Sequence, residues 1–80
     1  MVGKIQGEKV IGLKQTMKYI QNDKGKCLYV AKNADGKLTD PVVQLATNRL
    51  LPIIYIDTMK KLGMFCGIEV GAAVALLIKK

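Results

Sequence analysis

Lys14, Gln15 and Lys18 lie within little more than one helical turn, and together they can hydrogen-bond an anion or the edge of a base. They belong to Gly12-Leu13-Lys14-Gln15-Thr16-Met17-Lys18, which reads as a glycine opening a helix. Unpaired N–H groups at a helix start attract anions, and glycine allows a partner to approach closely. Lysine can donate to phosphate or to the O6 and N7 acceptors of guanine, and glutamine both donates and accepts. The same residues also describe an ordinary solvated helix face, and so short a motif does not choose between the two.

A second segment supplies what the first lacks. Leu62-Gly63-Met64-Phe65-Cys66-Gly67-Ile68-Glu69-Val70-Gly71 reads as a helix stopped by glycine, then a short loop beside a final strand. Exposed Ile68 and Val70 would cover a splayed-out base, and the flanking glycines would let the loop backbone come near RNA. The alternative is that Ile68 and Val70 start the strand and Glu69 pairs with a neighbouring lysine. A positive helix start facing an apolar loop suits nucleic acid, because phosphate takes the charge and an unstacked base takes the apolar cover. Lys32 closes a predicted strand, and ligands of α/β sheets collect beyond strand carboxyl ends, so Lys32 is a secondary candidate for a backbone contact. Lys60 and Lys61 read as a solvated face adding long-range attraction. Tyr19, Tyr29 and Tyr55 form no stacking platform, since Tyr29 and Tyr55 are expected in strands near the core.

Composition narrows the classes. Eighty residues make one small domain, 1–80, and half of them are apolar, which argues for a packed core. Thirteen Lys and Arg against six Asp and Glu give a formal charge of +7. That excess suits a polyanionic partner, nucleic acid first, and equally a protein kept soluble by lysine; charge alone does not choose between them. There is no histidine, and Cys27 and Cys66 form no CxxC motif, so neither a metal site nor a cofactor is expected. Both cysteines sit in apolar runs and are expected as buried free thiols of a reducing compartment. An enzyme using one of them as nucleophile would lack a histidine to activate it. The longest apolar tract, 70–78, is well short of the ~20 residues that span a bilayer. A cytoplasmic monomer with no membrane partner is expected.

The elements that must position these residues alternate between short strands and amphipathic helices. A short helix over 2–8 is weakened by Gly3 and Gly7. Val10 and Ile11 form a brief strand, and a helix runs from Gly12 to about Asn22 with Leu13, Met17 and Ile20 on its buried stripe. After a turn at 22–26, Cys27-Leu28-Tyr29-Val30-Ala31 predicts a strand covered on both faces. Asp40-Pro41 predicts a helix start, with Val42, Val43, Leu45, Ala46 and Leu50 on its apolar face. Pro52 ends that region and Ile53-Ile54-Tyr55-Ile56 is the third strand. Asp57 or Thr58 caps the next helix, whose inner face is Met59, Leu62, Phe65 and Cys66, and Gly67 closes it in a left-handed cap. The last strand covers 73–78. Such alternation implies helices on both faces of a sheet, an α/β/α sandwich.

Three segments in this order resemble the kink-turn-binding ribosomal protein family of the archaeal L-seven-Ae type, and most of all its small bacterial YbxF-like branch. They are 12–18, Val30-Ala31-Lys32-Asn33-Ala34-Asp35, and Met59-Lys60-Lys61-Leu62-Gly63 running into Cys66-Gly67-Ile68-Glu69-Val70-Gly71-Ala72-Ala73. The match spans about 10–78. The resemblance implies a three-layer α/β/α sandwich with a four-stranded mixed sheet. It also implies non-catalytic binding to kink-turns, bent RNA duplexes with a bulge followed by sheared G·A pairs, in ribosomal or other structured RNA. By resemblance, Lys18 matches the lysine that reads guanine edges and Gly12 the glycine that brings backbone close to RNA. Gln15 stands where archaeal members carry glutamate, and Lys14 where they carry asparagine. Ile68, Glu69 and Val70 match the loop that covers the bulge, Glu69 acting through its backbone or by bracing Lys14. The N-terminus is shorter than in archaeal members and no helix follows the last strand, so partner surfaces built from those elements are not assumed. A ribosome-associated protein acting mainly as a ribosomal RNA scaffold is the alternative role.

Overall fold

A computed structural model describes residues 7–79 of the protein. Four strands form one mixed sheet: β1 (Lys9–Ile11), β2 (Gly25–Ala31), β3 (Ile53–Ile56) and β4 (Val74–Ile78). Their spatial order is β1-β4-β2-β3, with β4 antiparallel to both neighbours and β2 parallel to β3. The helices are α1 (Leu13–Gln21), α2 (Gly36–Asn48) and α3 (Met59–Cys66).

The layers follow from the period of two along the central strands. Leu28 and Val30 of β2, with Val74 and Leu76 of β4, pack against Ile20 of α1 and Val42 and Ala46 of α2. The intervening Ala31 and Ala75 point to the opposite face, where Leu62 of α3 and Ala72 join them. Two helices therefore cover one face and α3 the other, the three-layer sandwich expected. Small residues on the α3 side let that helix approach the sheet closely.

Several local expectations are corrected. Helix α2 begins at Gly36 rather than at Asp40-Pro41, because the Asp35 carboxylate caps it earlier, accepting from the Lys37 N–H at 3.0 Å. Pro41 then sits inside the helix, exposed in the second turn, and forfeits one bond near the solvated start. Leu50 lies beyond the helix end at φ 57 and is 91% exposed, so it belongs to no apolar face. Tyr55 is half-exposed because β3 is an edge strand. The expected helix over 2–8 falls largely outside the described residues, and Gly7 and Glu8 at its end are not helical.

Thr16 is fully buried on α1, and its hydroxyl finds no hydrogen-bond partner among the described residues. A buried hydroxyl without a partner costs about 1–3 kcal/mol of desolvation. Thr16→Val keeps the shape and removes that cost, so it is expected to raise stability by about 1 kcal/mol. A urea transition with a higher midpoint and unchanged slope is the check.

Candidate nucleic-acid interface

The sheet brings the separate segments together at one end. Strand β1 stops at Ile11 opposite Ala75, and β2 stops at Ala31, beside the start of β4. Gly12, Lys32 and the loop entering β4 thus share one edge of the molecule. Backbone bonds lock them there: the Gly12 N–H donates to the Val74 carbonyl at 3.4 Å, and the Ala31 N–H to the Ala73 carbonyl at 2.9 Å. The Lys32 N–H donates to the Ile56 carbonyl at 2.7 Å, which adds the end of β3.

Gly12 caps α1 at φ 108, a conformation that L side chains rarely adopt. Among the described residues no side chain caps the helix start, and the space beside the Gly12 Cα is open. First-turn N–H groups are thereby left facing a surface that a partner can reach. Lys14, Gln15 and Lys18 are all exposed next to it, while Leu13 and Met17 pack toward the core.

The loop supplies the apolar component unequally. Val70 is 70% exposed and free to cover a base, whereas Ile68 is half-buried against the α3 side of the core. Glu69 is exposed and makes no ion pair with Lys14 among the described residues. Lys32 lies 3.6 Å from Asp57, which also pairs with Lys61 at 3.6 Å. One exposed carboxylate shared by two lysines leaves net positive charge at this edge.

Met59 is a participant that sequence periodicity assigned to the core. It is 37% exposed, and its backbone joins two parts of the interface. Its N–H donates to the Asn33 side-chain carbonyl at 2.8 Å, and its own carbonyl accepts from the Ala72 N–H at 3.0 Å. Gly71 packs so tightly that a Cβ there would lie 3.2 Å from Met59 Cβ. Asn33 was visible only as part of a family segment; its capping role depends on a contact across 26 residues. Thr58 caps the same helix through Lys61 N–H at 3.0 Å. Asn33→Ala is expected to cost about 1 kcal/mol, the scale of a lost helix cap. Asn33→Asp keeps the acceptor and should keep the stability, as chemical denaturation of both variants will show.

Both cysteines are free thiols; Cys27 is buried as expected, whereas Cys66 is only half-buried, at the end of α3 in the cluster that also holds Ile68. Burial raises the Cys27 and Cys66 thiols above their ordinary values, and burial likewise raises the Tyr29 hydroxyl beside them. Thiols held protonated in this way are weak nucleophiles.

An α/β/α sandwich that presents an uncapped helix start, lysines and a hydrophobic loop on one edge defines a class of polyanion-facing binding domains. The chain belongs to the Ribosomal protein L7Ae/L30e/S12e/Gadd45 family, whose model matches residues 3–80. It is 48% identical over 69 residues to an RNA-binding protein of Bacillus pumilus, covering 86% of this chain and 84% of that one. It is 36% identical over 73 residues to the RNA-binding protein YbxF of Geobacillus stearothermophilus, covering 91% and 89%. Among solved structures, the 15.5kD RNA binding protein of Giardia lamblia shares the fold with a TM-score of 0.83 at 20% identity. That likeness covers 90% of this chain and 61% of the Giardia protein.

Proposed function

We infer that this RNA-binding member of the family is a non-catalytic module that recognises kink-turns and stabilises their bent form. The convergence of the α1 start, Lys32 and the Val70 loop on one edge supports this reading most directly. Bacterial relatives that are RNA-binding proteins over nearly their whole length support the RNA partner.

The chemistry follows from the shape of RNA. A regular A-form duplex hides its base edges in a deep, narrow major groove. Where non-canonical G·A pairs open that groove, Gln15 and Lys18 can reach base acceptors, Lys14 and Lys32 can hold phosphates, and Val70 can cover a bulged base. Phosphate contacts position the domain and base contacts select the motif. A protein that binds only the bent conformer shifts the RNA toward it by the difference in its affinity for the two shapes.

A kink-turn duplex and the same duplex with its G·A pairs replaced by Watson–Crick pairs separate motif recognition from charge attraction. The kink-turn is expected to bind at least about tenfold more tightly, the scale of one good base contact. Equal affinities would reject motif recognition and leave a general RNA-binding surface. Attachment to ribosomes that survives high salt would instead favour the scaffold role.

A further inference from the structure

The interface continues along α1 into a groove. Gln15, Lys18, Tyr19, Asn22 and Lys24 line an open concavity of about 260 Å³ on the outer side of this helix. All five side chains can donate a hydrogen bond, and none is a carboxylate. Two of them, Gln15 and Lys18, already belong to the helix-start site. The groove is smaller and more polar than the apolar cavities that enclose small molecules, and it is open to a chain passing through.

Its far wall is built by the way α1 ends. The Lys24 N–H donates to the Tyr19 carbonyl at 3.0 Å and the Asp23 N–H to the Ile20 carbonyl at 3.0 Å, the paired bonds of a Schellman cap. Asp23 takes the left-handed position at φ 56. The reversal brings Lys24 back over the helix, its ammonium 6.0 Å from the Tyr19 ring centre. The Asp23 carboxylate pairs with Arg49 at 2.6 Å and does not line the groove.

We propose that this groove holds the phosphate backbone of an RNA strand continuing from the base pairs met by Gln15 and Lys18, with Lys24 as its distal phosphate contact. The assignment rests on the RNA reading above and adds a dependence on stem length. A strand leaving the helix start must follow the groove as far as Tyr19, roughly 9 Å from Leu13 at 1.5 Å per residue, before it meets the ammonium of Lys24 folded over that ring. A stem cut short of that point loses the contact.

The test measures binding of the full chain to a kink-turn RNA with long stems and to versions with each stem shortened in turn. Lys24→Ala is compared with Lys26→Ala, which removes the same charge outside the groove. The unmodified protein is expected to lose about threefold to fivefold in affinity when one particular stem is shortened, the scale of an exposed ion pair. Lys24→Ala should lose the same on the long RNA, lose nothing more on the short one, and lower the salt dependence by about one counterion. Lys26→Ala should respond to shortening as the unmodified protein does. Equal losses for both variants, or a stem-length effect unchanged in Lys24→Ala, would overturn the assignment. A Lys24→Ala defect shared equally by short RNA and inorganic polyphosphate would also overturn it, pointing to an unspecific anion contact. The G·A replacement tests motif recognition separately: its failure with the Lys24 coupling intact rejects kink-turn selectivity and keeps the groove.

Discussion

Gly63→Ala is expected to destabilise the domain by about 3 kcal/mol and to weaken RNA binding beyond that loss. In most helices alanine is the better residue by roughly 0.5–1 kcal/mol, so the expected sign is inverted here. Gly63 lies in the middle of α3 and is buried under the loop that carries Val70. A Cβ on it would overlap the Val70 carbonyl oxygen and come within 3.1 Å of Val70 C and 3.3 Å of Gly71 Cα. These are backbone atoms, so no change of side-chain rotamer relieves them. Either the loop lifts off the helix or α3 slides along the sheet, and both move Val70 relative to Gly12. Urea denaturation measures the first effect, and RNA titration under conditions where the variant remains folded measures the second. A more stable Gly63→Ala protein with unchanged affinity would show that the loop is not seated on this helix.

Lys18→Ala is expected to weaken kink-turn binding by roughly 1–3 kcal/mol, about tenfold to a hundredfold, and to reduce discrimination against RNA lacking the G·A pairs. Lys18 is exposed on the second turn of α1, where it borders both the helix start and the groove behind it. Lys61→Ala provides the contrast. Lys61 shares Asp57 with Lys32, so its charge is already partly balanced, and its loss should appear mainly as a shallower salt dependence. Fluorescence anisotropy at two or more salt concentrations separates the two behaviours. A Lys61→Ala defect as large as that of Lys18→Ala would move the binding face from α1 to α3.

These two predictions depend on features with different visibility in the chain. The Lys18 side chain declares itself through a glycine, a helical stripe and two lysines four positions apart, all local signals. Gly63 gives no local sign of its importance, because its constraint comes from a loop carbonyl brought onto it by the return of the chain into β4. Met59 shows the same limit. Its apolar character and spacing suit a core position, but it is 37% exposed and its backbone ties Asn33 to the loop at Ala72. The start of α2 departs from its sequence signal for a local reason: Asp40-Pro41 is a good helix start, yet Asp35 five residues earlier caps first and the helix absorbs the proline.

Apolar periodicity, punctuation by glycine and proline, and the excess of lysine were enough to establish alternating strands and helices and a domain suited to polyanions. Those properties are summed over neighbouring residues and survive small errors in boundary. The meeting of Gly12, Lys32, Asn33, Met59 and Val70 on one edge came from strand order, with β4 inserted between β1 and β2. So did the unequal exposure of Ile68 and Val70. Which loops become neighbours depends on long-range pairing, and long-range pairing leaves no period in the residues on either side of it.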